Sequence, residues 1–184
     1  MAETHPAPIF LIVGPPAVGK SSTSRALAAR YPRSLYIPVD DLRMMVVSGL
    51  VLPAAEWSDE LAQQVNLART SAVHMALRYH TAGFAVVIDD FWDTNCDTDY
   101  RDLLDHPGLH RVVLYPEQAE AHRRNLARSG DSPAAGYIDE GIRIVYGLMN
   151  PVIARLAQEG WTVIDTTALS VEATVERIVR MVGD

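Results

Sequence analysis

Apolar and polar positions along this chain follow two periods. Ile9–Val13 is an unbroken run of five apolar residues ending at Gly14, short and sharply bounded, which predicts a buried strand. Comparable runs at 34–39, 84–88, 111–115 and 161–164 predict four more strands. Between them the period changes to that of a helix. A helix runs from about 19 to 31 and stops before Pro32, because a residue preceding proline avoids the α region. Leu61, Val65, Ala68, Ala72, Met75 and Tyr79 recur at steps of three and four, which predicts an amphipathic helix of about five turns with Ser58 as its N-cap. Residues 44–57 read as a loose stretch, and 91–110 as a polar loop with one short helix around 100–104. Pro116 opens a helix with Glu117 and Glu120 in its first turn and Arg123, Arg124 and Arg128 towards its end, charges that complement the helix dipole. The segment from Ser129 to Pro133 breaks it. A further helix carries Ile138, Ile142, Val145 and Met149, restarts at Pro151, and a last one begins near Ser170.

Strand and helix alternate five times, and the strands are nearly continuous in apolar residues. That predicts one α/β domain over residues 1–184, a five-stranded parallel sheet with helices on both faces. Ligands of such sheets bind beyond the C-terminal ends of the strands, where Gly14, Asp40, Asp89 and Asp165 fall. With 48% hydrophobic and 21% charged residues the chain can bury a sizeable core. No run approaches the roughly 20 apolar residues of a membrane span, and the first residues lack a signal peptide's basic region and cleavage site. The single cysteine, Cys96, rules out an intrachain disulfide. These features favour a cytoplasmic protein with no membrane partner. The net charge of −7 argues against a broad nucleic-acid surface and leaves room only for a local basic groove.

The candidate chemistry begins where the first strand ends. Gly14-Pro15-Pro16-Ala17-Val18-Gly19-Lys20-Ser21 has the spacing G-x-x-x-x-G-K-[ST] of a P-loop, between a strand and a helix as that motif requires. Glycines let backbone N–H groups turn towards phosphate oxygens, and the following helix N-terminus adds partial positive charge. Gly14, Pro15, Ala17, Val18, Gly19, Lys20, Ser21 and Ser22 are therefore candidates to hold ATP. Lys20 reaches the terminal phosphates, and the Ser21 hydroxyl is a ligand for Mg2+. A second signature, Val86-Val87-Ile88-Asp89-Asp90, is a hydrophobic strand ending in acid, the Walker B pattern. Asp89 is the metal candidate and Asp90 either shares that role or faces the acceptor. The guanine-reading N-K-x-D of GTPases is missing, and the D-x-x-G at Asp105–Gly108 precedes an apolar run instead of following one as a switch would; the serine-glycine signature of ABC ATPases is also missing, and a AAA+ machine normally needs a longer chain. A compact P-loop NTPase of kinase type remains. In such an enzyme the strand-two acid, here Asp40, accepts or orients the acceptor's hydroxyl proton. Arg43 grips the acceptor or the transferred phosphate. The competing reading of Asp40 and Asp41 is as caps of the following helix. Trp57, with Met44 and Met45, is a wall of the acceptor pocket or packed core. The six histidines form no zinc pattern, and Cys96 reads as an ordinary thiol.

Five pieces spread in order over nearly the whole chain carry a resemblance: GPPAVGKS at 14–21, VDDL at 39–42, AGFAVVIDDFW at 82–92, RRNLAR at 123–128 and IDTT at 164–167. The chain resembles the chloramphenicol phosphotransferase branch of small P-loop kinases, which is similar in fold to shikimate kinase, adenylylsulfate kinase and the zeta toxins. The resemblance implies a helical lid at about 124–143 and Asp40 as the base. It also implies that Arg124 and Arg128 close over the phosphates as catalytic residues; the alternative is that they complement a helix C-terminus. It places Asp165 and Thr167 where related kinases hold adenine. Two departures stand out: the lid segment SGDSPAAG has no arginine, so Arg143 substitutes or the lid is less cationic, and 44–57 does not match closely. The pair Asp40-x-x-Arg43 also resembles phage-type polynucleotide 5′-kinases, where the Asp is the base and the Arg binds the acceptor's 3′-phosphate. The expectation is an ATP- and Mg2+-dependent transfer of the γ-phosphate to the hydroxyl of a small molecule, such as an antibiotic, nucleoside or sugar-like compound. The alternatives are a polynucleotide 5′-hydroxyl kinase and a nucleotide-dependent switch without an acceptor.

Overall fold

A computed structural model describes residues 7–53, 57–130 and 132–182. Five parallel strands form one sheet: β1 (Ile9–Val13), β2 (Ser34–Pro38), β3 (Ala85–Asp89), β4 (Leu109–Leu114) and β5 (Thr162–Ile164). Their lateral order is β2-β3-β1-β4-β5, with β1 at the centre. Every residue of β1 and β3 is buried, as a strand covered on both faces requires. The pleat sends alternate residues to opposite faces, and two cores follow. Ile9, Leu11 and Val13 join Ile88 and the apolar side of α3 (Asp59–Thr81), including Ala72 and Ala76. Phe10 and Ile12 join Val87 and Leu114 against α1 (Lys20–Ala28) and α9 (Val171–Val182), through Leu27 and Ile178.

The remaining helices are α2 (Val39–Met44), α4 (Cys96–Asp99), α5 (Arg101–Leu104), α6 (Gln118–Ser129), α7 (Pro133–Met149) and α8 (Ile153–Gln158). The N-cap of α3 is as expected, with the Ser58 hydroxyl accepting from the Leu61 amide at 3.1 Å. Several boundaries differ from the sequence reading, β4 beginning at Leu109 instead of 111 among them. The first helix ends at Ala28 rather than Tyr31, because the chain tightens into i→i+3 bonds from Arg30 N to Leu27 O and Tyr31 N to Ala28 O, a common way to close a helix. The second strand ends at Pro38, and Val39 already belongs to α2. The segment 91–110 holds two short helices instead of one. Among the described residues no helix is long and apolar enough to cross a membrane.

Candidate active site

The loop between β1 and α1 has the backbone of an anion cradle. Ala17 and Gly19 adopt positive φ of 61° and 95°, a conformation that turns successive amides to one side. Gly19 is the N-cap of α1 and offers no side chain to its free N–H groups, so those donors are open to a phosphate. Gly14 is required by close packing: a Cβ built on it would lie 2.4 Å from the Leu114 carbonyl oxygen of β4. Pro15 and Pro16 bring no amide to the cradle, but the Pro15 carbonyl accepts from Lys20 Nζ at 2.8 Å. That bond folds the lysine across its own loop. Ser21 and Ser22 follow in the first turn of α1, both exposed. The loop's backbone is suited to a phosphate group.

On the β2–β3 side, Asp89 closes its strand and is 6% exposed. Its Oδ2 accepts a hydrogen bond from the Tyr36 hydroxyl at 2.9 Å. The Ser21 and Arg25 side chains approach the same phenol oxygen, and the Arg25 guanidinium stacks 4.9 Å above the Tyr36 ring. Burial, with the Asp89 charge, pushes the Tyr36 hydroxyl up to about 12, so it remains a donor. Ser21 and Asp89 thus both lie near the Tyr36 hydroxyl, and a hydroxyl and a carboxylate are groups of the kind that hold a hard cation.

Asp90 does not join them, and this corrects the expectation that it touches acceptor or metal. Consecutive residues at a strand end point to opposite faces, so Asp90 turns towards α3. There it is fully enclosed and accepts from Arg69 Nε at 2.7 Å, from the Tyr100 hydroxyl at 2.9 Å and from the Phe91 amide at 2.8 Å. Arg69 itself is wholly buried and also binds Asp93, Asp99 and the Phe91 carbonyl. Burial drives the Asp90 carboxyl up to about 6, against the pull of Arg69, and the Asp40 charge adds to the rise. Burial likewise pushes the neighbouring Cys96 thiol up.

Asp40 lies in the first turn of α2 without capping it through its side chain. Two-thirds of its side chain is exposed, and its Oδ1 accepts from Arg43 at 3.2 Å. Arg43 is only 5% exposed and also donates to the Val51 carbonyl at 3.2 Å. It is therefore placed to hold Asp40 and the following loop, not to reach out to a phosphate as expected from sequence. Trp57 is half exposed and its ring lies 6.3 Å from that of Phe91. Met44 and Met45 are exposed. The Tyr137 hydroxyl of α7 donates to the Pro53 carbonyl at 2.8 Å.

On the β4–β5 side a cavity of about 430 Å3 opens against the P-loop, lined among others by Val18, Gly19, Thr23, Arg124, Thr166 and Thr167. Arg124 forms part of its wall. Its guanidinium donates to Glu120, to the Val18 carbonyl at 3.0 Å and to the Thr166 carbonyl at 2.6 Å. These bonds engage its donors on the loop and on the turn after β5, so Arg124 braces this cavity. Arg123 and Arg124 together hold the Glu120 carboxyl down to about 2. Thr167 accepts from the Glu117 amide at 2.8 Å and donates to Asp165 at 2.6 Å. That bond, with the Thr167 amide, lowers the Asp165 carboxyl. Arg128 is exposed one turn beyond Arg124. Arg143 pairs with Glu140 on its own helix at 2.7 Å, with both side chains exposed. The break between α6 and α7 is clamped by Asn125, which donates to Ala135 O and Asp139, and by His122, which pairs with Asp139 at 2.8 Å.

Two residues of this region escape a motif-based reading. Tyr36 looks like ordinary strand filling. Arg69 does leave a signal: it sits at the step of four after Val65, on the apolar side of α3, where a charge has to find a buried partner.

The sequence matches the family described as AAA domain over residues 9–135. No curated protein matches it. The structure is similar to shikimate kinase from Bacteroides thetaiotaomicron, with a TM-score of 0.66 at 15% identity, covering 96% of this chain and 99% of that one. It is similar to the Deinococcus radiodurans tunicamycin resistance protein, with a TM-score of 0.62 at 21% identity and 96% of each chain covered. A gluconokinase from Sinorhizobium meliloti aligns with a TM-score of 0.61 at 17% identity, covering 97% of this chain and 92% of that one. The fold is that of the small P-loop kinases.

Proposed function

The chain belongs to the AAA domain family, and on that premise we propose that it is an ATP- and Mg2+-dependent phosphotransferase acting on a hydroxyl of a small molecule. The nucleotide base occupies the cavity walled by Arg124 and Thr167, and the phosphates lie in the cradle of residues 14–21. Ser21 and Asp89 hold Mg2+, which supplies charge neutralisation for the transferring phosphoryl group. Lys20 exchanges its bond to the Pro15 carbonyl for the terminal phosphates. Asp40 accepts the acceptor's proton with the oxygen that Arg43 does not engage. Most of the rate gain comes from holding the two reactants in line and from charge already in place.

One observation carries the reading: an open carboxylate, Asp40, stands at the C-terminal edge of the sheet, anchored by a buried arginine, on the side of the loop away from the base cavity. A nucleotide switch has no use for such a group. The burial of Arg43 counts against a polynucleotide kinase, which needs an accessible cation for the acceptor's phosphate. The test is transfer from γ-labelled ATP to nucleosides, sugars, aminoglycosides, chloramphenicol-like alcohols and a 5′-hydroxyl oligonucleotide. Labelling of a small alcohol is the expected result. Release of inorganic phosphate alone across the whole set refutes the reading.

A further inference from the structure

Tyr36 belongs to no motif, yet its hydroxyl occupies the most consequential position on the β2–β3 side. In the parallel ladder Tyr36 is registered with Val87, and Pro38 with Asp89. Tyr36 therefore lies one pleat repeat behind Asp89 on the same face, a step of about 6.6 Å along the strand. A valine or isoleucine would fill the strand but stop short of the carboxylate. The tyrosine reaches it, donating to Asp89 Oδ2 at 2.9 Å. The ring is fixed by the Arg25 guanidinium stacked at 4.9 Å, and the Ser21 hydroxyl approaches the same phenol oxygen. One hydroxyl therefore stands between a side chain from the first turn of α1 and a carboxylate from the end of β3.

We propose that Tyr36 is a positioning residue of the divalent-cation site: it engages one oxygen of Asp89 and orients the carboxylate so that the other is presented to the cation or its water. The inference rests on the reading of Ser21 and Asp89 as the groups that hold Mg2+. Hydrogen bonds of this kind to a ligating carboxylate fix its rotamer, and losing one typically lowers metal affinity 10- to 100-fold. Phenylalanine at position 36 keeps the ring, the strand and the Arg25 stack and removes only the donor.

The experiment uses the full chain with a non-hydrolysable ATP analogue and Mn2+ as the probe cation, read by electron paramagnetic resonance. Tyr36→Phe is expected to weaken Mn2+ binding in the nucleotide complex about 10-fold or more and to broaden the bound-Mn2+ spectrum. Nucleotide affinity in EDTA stays unchanged. In an Asp89→Asn background the same substitution has no further effect, because the phenol acts through that carboxylate. Unaltered Mn2+ affinity in Tyr36→Phe overturns the assignment, as does a full effect persisting in Asp89→Asn. An equal loss of metal-free nucleotide binding also overturns it, since that marks a prop for the loop. If the unsubstituted chain binds the analogue but no Mn2+, the cation site itself is refuted. If it binds no analogue, the proposed function fails first.

Discussion

Arg69→Met is the sharpest test of how the post-β3 loop is held. The substitution keeps a long apolar stem and removes four hydrogen bonds, to Asp90, Asp93, Asp99 and the Phe91 carbonyl, at 2.7 to 3.1 Å. It also removes the one cation paired with these three carboxylates among the described residues. Neutral donors remain: Tyr100 and the Phe91 amide on Asp90, the Asn95 amide on Asp93 and Asn66 on Asp99. Asp93 Oδ2 has no partner even with Arg69 present. Stripping one member from such a buried network costs about 3–5 kcal/mol, a large part of a typical total of about 5–15 kcal/mol. With a urea slope of about 2 kcal/mol/M the midpoint falls by about 1.5–2.5 M. The pH dependence has a definite sign. Asp90 is raised to about 6 in the fold, so its contribution is complete below the ordinary aspartate range and is lost as pH rises through 6. Without Arg69 the carboxyl rises further, and the variant regains more stability on acidification than the unsubstituted protein. The gap should narrow by about 1 kcal/mol between pH 7 and pH 5. Urea unfolding followed by tryptophan fluorescence, with Trp92 buried in this loop, measures both quantities. A loss below about 1 kcal/mol, or a gap that widens in acid, refutes the account of a buried ionic network.

Gly14→Ala should abolish nucleotide binding, because the new methyl meets the Leu114 carbonyl at 2.4 Å and displaces the cradle; calorimetric titration with ATP that finds normal affinity contradicts this. Asp40→Asn should lower kcat about 10²–10⁴-fold with nucleotide affinity unchanged, measured on whichever acceptor the transfer screen identifies. Arg124→Ala should raise the nucleotide Kd about 10-fold, or about 1.4 kcal/mol, while Arg128→Ala, exposed one turn away, changes it much less. Equal effects of the two substitutions on kcat and none on Kd would restore Arg124 to the phosphates.

The α/β architecture was legible because β1 and β3 are apolar at every position or nearly so and are bounded by Gly14 and by acids. Lateral strand order was not legible, since a run of apolar residues says nothing about its neighbours in the sheet. The P-loop was readable from its spacing, but the Tyr36–Asp89 bond was not. Asp89 and Asp90 could not be told apart by composition. Only the pleat, together with Arg69 on the inner side of α3, assigns them to opposite faces. Arg124 and Arg128 share a helix side in sequence, but the carbonyls of Val18 and Thr166 capture only the first. Arg43 reads as a free cation until Asp40 and Val51 are seen to enclose it.

The central place of β1 divides the sheet's upper rim into two territories drawn from separate stretches of chain. One is assembled from β2, α2 and the residues following β3; the other comes from α6 and the turn after β5. On the proposed function the first territory holds the acceptor and the second the nucleotide, and the two meet at the loop at 14–21. Substitutions around Asp40 are then expected to change acceptor use while nucleotide affinity stays as it is.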